Sequence, residues 1–211
     1  MTEVVLIRHG VTPWNREQRF QGSIDIALAP EGHVEAGLTA ARLQAMAAAQ
    51  PVSALYCSEL TRARQTAEPI ARALGLPAVV EPGVGERHYG AFEGATPEDL
   101  ERDWAEPFRR WRAREPDFEL PGGGETLRAF YERVLAALER LALRHPGERV
   151  VVVTHGGVLD CAYRIASGMG LSEPRRHALL NASLNTLVRE SAGWRLLAWA
   201  DVGHLPAGDS G

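Results

Sequence analysis

Lysine is absent: all 23 basic residues of the chain are arginine. That excludes Schiff-base chemistry, pyridoxal phosphate attachment, a P-loop lysine and the lysine of a kinase strand. Any phosphate or carboxylate must then be held by Arg, His, hydroxyl, amide or backbone N–H groups. Cysteine is scarce too. Cys57 and Cys161 stand far apart with no CxxC spacing, which argues against a zinc ribbon or a disulfide framework. No run approaches the roughly 18 apolar residues that a membrane span needs. The apolar run Val4 to Ile7 is too short for a signal peptide and ends in Arg8-His9, so a cytoplasmic protein without a membrane partner is expected. A positive excess is also missing. The net charge of −4 argues against a general nucleic-acid-binding surface.

What is present suits a sizeable core: 211 residues, 45% hydrophobic and 24% charged. Four short apolar runs read as buried strands: Val4 to Ile7, Ala54 to Cys57, Ala78 to Val80 and Val150 to Thr154. Helical periodicity fills the gaps, over Glu31 to Gln50, over Leu60 to Leu74, and most clearly from Leu127 to Leu141. Alternating strands and helices predict an α/β three-layer sandwich, a mostly parallel sheet with helices on both faces. Leu184 to Arg189 and Trp194 to Trp199 flank Ser191-Ala192-Gly193, the pattern of a C-terminal hairpin at the sheet edge. Residues 1–202 read as a single domain, with a helical insertion at about 91–121 over the active site and a frayed tail at 203–211.

Two histidines stand where such sheets bind ligands. His9 directly follows the first strand and precedes Gly10; His155 directly follows the fourth and precedes Gly156-Gly157. The glycines let backbone approach a ligand, and a following helix N-terminus attracts anions. One such histidine is more often a satisfied core group, but two equivalent His-Gly pairs are harder to read that way. Arg8 adjoins His9, and Arg62 opens the helix after the second strand, against the dipole preference unless an anion lies in front of it. Two Arg and two His at one sheet edge suit a dianionic phosphoryl group.

These residues carry a resemblance. Leu6 to Asn15, with its Arg8-His9-Gly10 core, is similar to the signature of the histidine phosphatase (phosphoglycerate-mutase-like) superfamily. The likeness continues in Arg19 to Gly22, Ser58 to Ala67, Glu86 to Gly94, Gly122 to Thr126 and Val153 to Gly157. It implies that His9 is the nucleophile and forms a phosphohistidine, and that Glu86 is the proton donor and acceptor. It further implies that Arg8, Arg62 and His155 clamp the phosphoryl oxygens with Asn15 assisting, and that Gln21, Gly22, Tyr89 and Gly156 complete the substrate-binding set. Glu93 competes with Glu86 for the acid role, but its place beside Gly94 suits loop ordering better. No cofactor and no metal are implied. The expected partner is a small-molecule phosphate ester, with homodimerisation left open.

Within the superfamily the chain resembles the small broad-specificity and alpha-ribazole-phosphate phosphatases. The alternative, a cofactor-dependent phosphoglycerate mutase, is suggested by the Glu86 to Gly90 string and would need a second anionic site, for which Arg109, Arg110, Arg112 or Arg114 are candidates. Those arginines read first as a solvated helix face. Two other classes fit less well: a metal hydrolase using His9, His155 and either Glu86 or Asp160, which lacks HxH or HxxxH spacing, and a non-catalytic phospho-ligand binding module, which needs no nucleophile-and-acid pair. Specificity falls to the region Phe92 to Phe118, where Trp104, Phe108 and Trp111 either shape a pocket or pack the insertion.

Overall fold

The computed structural model describes residues 1–206. Six strands, β1 (Thr2–Arg8), β2 (Val52–Cys57), β3 (Ala78–Val80), β4 (Arg149–Thr154), β5 (Leu184–Glu190) and β6 (Gly193–Asp201), form one sheet in the order β3-β2-β4-β1-β5-β6. β1 to β4 run parallel, and β5 is antiparallel to both β1 and β6. The helices are α1 (Pro13–Arg16), α2 (Pro30–Ala47), α3 (Thr61–Leu74), α4 (Pro97–Asp103), α5 (Ala105–Arg112), α6 (Leu127–Arg144) and α7 (Gly156–Ser167). The three-layer reading of the sequence is thus realised.

Strand alternation divides the core. Val4, Leu6, Val150 and Val152 point into α6 and α7, whereas Val5, Ile7, Val151 and Val153 point into α2 and α3. All eight are fully buried, each worth about 1.5–3 kcal/mol relative to exposure. A run of four valines is what a strand covered on both faces requires. In-register pairing of Arg8 with Thr154 brings the carboxyl ends of β1 and β4 level, so the residues after them, His9 and His155, emerge side by side.

Helix ends follow local chemistry. Thr12, Thr96 and Thr126 cap α1, α4 and α6 through their hydroxyls. Gly75, at φ 66°, stops α3 in the left-handed region. Two expectations need correction. β3 is not buried: it is a three-residue edge strand with every side chain exposed, because nothing pairs on its outer side. Residues 203–206 form a turn that brings His204 Nε2 within 3.1 Å of Thr39 Oγ1, and residues 207–211 of the expected frayed tail lie outside the described residues. The insertion packs its own small core of Phe92, Leu100, Phe108 and Leu120 against Phe20 and Tyr89. Among the described residues no helix is long and apolar enough to cross a membrane.

Candidate active site

A cavity of about 730 Å³ opens at the carboxyl ends of β1 and β4. Its wall includes Arg8, His9, Asn15, Gln21, Gly22, Arg62, Glu86, Tyr89 and Gly156, so the structure gathers nine of the ten expected site residues. The tenth, His155, is fully buried just behind the wall, its ring centroid 5.3 Å from that of His9.

His9 is fixed from both sides. Its backbone N–H continues the β ladder to Thr154 O at 2.9 Å, and Nδ1 lies 2.7 Å from Gly10 O. A carbonyl only accepts, so Nδ1 carries the proton and Nε2 keeps its lone pair. Burial, with Arg8 and then Arg62 adding repulsion, holds the His9 imidazole well below its ordinary pKa. Burial also holds His155 well below, with Arg62, His9 and Arg8 contributing. Both rings are therefore neutral at physiological pH.

The cations are built in at some cost. Arg62 is fully buried in the first turn of α3 and donates from its two terminal nitrogens to Gly22 O at 2.7 Å and Ile24 O at 2.8 Å. Arg8 donates to Leu179 O. Nε of each, both ring nitrogens of His155 and Oε1 of Gln21 are buried with no hydrogen-bond partner among the described residues. Buried polar groups are normally satisfied, so four unpartnered residues around one cavity mark a place built for a polar ligand.

Glu86 follows the turn Pro82–Val84. Its carboxylate accepts from Arg87 N–H at 2.8 Å and, at the N-terminus of α7, from Gly157 N–H at 3.1 Å. Arg133 of α6 pins the backbone by donating to Gly85 O at 3.0 Å. Glu93 is elsewhere occupied: it accepts from Ser23 N–H and Tyr89 N–H, each at 2.9 Å, and so ties two loops together. Burial pushes the Tyr89 hydroxyl above its ordinary pKa, with Glu86 adding.

The glycines after the histidines have a different use from the one expected. A Cβ on Gly10 would lie 2.5 Å from Gly32 O, and one on Gly157 would lie 2.2 Å from Glu86 Oε1. They admit the start of α2 and the carboxylate of Glu86, that is, protein and not ligand. Gly156 is looser, with Arg8 Nε 3.4 Å from its ideal Cβ.

Several groups at the site were not legible beforehand. Asn181 donates to His9 O at 2.9 Å and to Asn15 Oδ1 at 3.3 Å, and Thr66 Oγ1 accepts from Gly10 N–H at 3.0 Å. Because β5 runs antiparallel to β1, the residues preceding it fall beside the end of β1; only the topology places Asn181 there. Asp160 is engaged by arginines. Its Oδ2 accepts from Arg114 at 2.6 Å and Arg164 at 3.1 Å. His177 Nε2 stands 3.0 Å from Oδ1. Burial alone would raise the Asp160 carboxyl, but His177, Arg114 and Arg164 outweigh it and hold the group well below its usual range. Among the described residues no three His, Cys, Asp or Glu side chains cluster as a metal site.

Of the insertion aromatics, Trp111 lines the cavity and stacks on buried Phe108, at 5.5 Å between centroids, while Trp104 is exposed. Arg109, Arg110 and Arg112 form outer ion pairs with Glu106, Glu115 and Glu101.

Comparison with known proteins agrees with this geometry. The family model described as histidine phosphatase superfamily (branch 1) matches residues 4–202. An Arabidopsis thaliana protein named metal-independent phosphoserine phosphatase is 40% identical over 207 residues, which span 97% of this chain and 84% of that one. Phosphoglycerate mutase-like protein 4 of the same plant is 36% identical over 205 residues, 96% of this chain and 86% of its own. The solved phosphoserine phosphatase of Entamoeba histolytica in complex with 3-phosphoglyceric acid superposes with a TM-score of 0.86 at 25% identity, covering 98% of this chain and 100% of that one. With its strands, its site and a family match over nearly all of its length, the chain belongs to the histidine phosphatase superfamily.

Proposed function

We propose that the protein is a metal-independent phosphatase of small phosphate monoesters, working through a phosphohistidine on His9. The observation that carries this is the Nδ1 to Gly10 O hydrogen bond, which turns a neutral Nε2 lone pair toward the arginine-lined cavity. In the first step Nε2 attacks phosphorus in line; the P–N bond forms as the P–O bond to the leaving group breaks. Arg8 and Arg62 neutralise charge on the equatorial oxygens, where fixed cations in a dry site act strongly. His155 backs the His9 ring and, being neutral, adds no charge that would compete with the nucleophile. Glu86 is the general acid of this step: its carboxyl, held by Arg87 N–H and Gly157 N–H, passes a proton to the departing alkoxide. In the second step Glu86 takes a proton from water as the water oxygen bonds to phosphorus in line, the P–N bond breaks, and inorganic phosphate leaves with His9 restored.

A mutase would have to retain its phosphorylated intermediate through a second strong anion site. Of the candidates for one, Arg109, Arg110 and Arg112 are engaged by glutamates and Arg114 by Asp160, the last two on the cavity wall, which favours hydrolysis. The test is acid-labile, base-stable phosphoenzyme trapping with labelled substrate, beside turnover of His9→Ala. The variant should lose at least roughly 10³-fold and trap no label; ordinary turnover in His9→Ala would falsify the mechanism. Mutase activity on 3-phosphoglycerate with 2,3-bisphosphoglycerate, exceeding hydrolysis, would decide against the phosphatase.

A further inference from the structure

We infer that Arg175, on the loop between α7 and β5, selects substrates that carry a carboxylate as well as the phosphate ester; this rests on the phosphatase reading above. Seven arginines line the cavity. Arg8 and Arg62 hold backbone carbonyls, Arg87 holds Glu125 O, and Arg19 holds Glu17 and Gly94 O. Arg112 is paired with Glu101 and Arg114 with Asp160. Arg175 alone among these has neither a hydrogen bond nor an ion pair to the described residues. Its guanidinium remains free to meet an anion from the cavity, and it is near enough to Arg8 to repel it.

The loop that carries Arg175 is braced. Arg164, fully buried, donates to Gly170 O and to Glu173 O, the latter at 3.0 Å. Further along, Leu179 O accepts from Arg8. The free cation therefore stands on the same loop that steadies the phosphoryl clamp, and its base is held relative to that clamp. One exposed guanidinium fork matches a carboxylate monoanion. A second phosphate dianion is held in this protein by a different kind of site, with two arginines beside two histidines.

The cavity offers no free carboxylate for a substrate ammonium. Its two acidic wall residues are Glu86, used in proton transfer, and Asp160, engaged by Arg114 and Arg164. The substrate class is thus a phosphorylated hydroxy or amino acid read by its carboxylate, with the amino group ignored.

Two substrate pairs differ by the carboxylate: 3-phosphoglycerate against glycerol 3-phosphate, and O-phosphoserine against phosphoethanolamine. In each pair the wild type should favour the acid by roughly ten- to hundredfold in kcat/KM, mostly through KM, as a charge-assisted hydrogen bond permits. Arg175→Ala should bring both ratios close to one, and Arg175→Lys should keep part of them. Arg176→Ala removes a neighbouring free cation that does not line the cavity and should leave the ratios intact. The inference is overturned if the wild type shows no preference, if Arg175→Ala keeps it, or if Arg176→Ala abolishes it equally. Failure to hydrolyse any of the four esters would instead overturn the phosphatase reading itself.

Discussion

At the inner end of the cavity, His9 follows β1, Arg62 opens α3 and Glu86 follows a turn, each held by backbone partners; at the outer end, Trp111, Arg112 and Arg175 stand on the insertion and a loop, Trp111 half-buried against Phe108, Arg112 paired with Glu101 and Arg175 exposed. The inner end is expensive to build, since buried cations and rings must be held against desolvation, and its geometry follows from the sheet itself. The outer end costs little to alter. One chemistry can thereby be carried on a rigid edge while the substrate is chosen by side chains that the core does not need.

The comparison breaks first at Arg62. Arg62→Ala should reduce kcat/KM by roughly 10²- to 10³-fold and lower stability by about 2–3 kcal/mol, because Gly22 O and Ile24 O lose their donor. Steady-state kinetics with chemical denaturation measures both. Loss of activity with stability unchanged would mean that Arg62 is not a structural part of the inner end.

Glu86→Gln comes next. It should cost about 10²-fold with an alkyl phosphate and less than about tenfold with p-nitrophenyl phosphate, whose leaving group needs no proton. A uniform loss would give Glu86 a positional role only.

The third effect is on pH-dependent stability. His9 and His155 are depressed by burial and neighbouring arginines, whereas the unfolded residues titrate near pH 6.5. Above that pH neither state binds the extra proton, so these groups add no slope. Below it the unfolded chain takes up protons that the folded chain refuses, and stability falls by up to about 1.4 kcal/mol per pH unit for each histidine. Urea melts at pH 7.5 and 5.5 should show the fall, and His155→Asn should reduce it. An unchanged slope in that variant would place the titration elsewhere.

The smallest effect belongs to the outer surface. Arg109→Ala breaks an exposed pair with Glu106 and should shift stability by less than about 0.5 kcal/mol and leave turnover unchanged. A large change would bring the outer arginine face into the site.

The inner end could be read from the chain because its residues sit in fixed relation to strands whose apolar runs announce them. His9 and His155 each follow a valine- or leucine-rich run directly, and Arg62 lies one residue into α3. Glu86 was found only by resemblance, since no periodicity marks the turn that carries it. Glu93, beside Gly94, differs from it in its contacts: it accepts from Ser23 and Tyr89 and ties two loops together. Asn181 and Arg175 were missed because they lie in a stretch without a pattern, brought to the site by a strand that returns antiparallel.

By itself the sequence determined the layers and the chemistry. Alternating apolar runs can be buried only as a covered sheet, and a chain without lysine can grip an anion only with arginine, histidine and backbone. Tertiary structure decided the rest: that β3 is an exposed edge, that the glycines after the histidines make room for Gly32 and Glu86, and that one arginine of seven on the cavity wall is left unpaired. Those outcomes, the unpaired arginine among the described residues included, depend on which distant segments meet, and a local pattern carries no record of its partners across the fold.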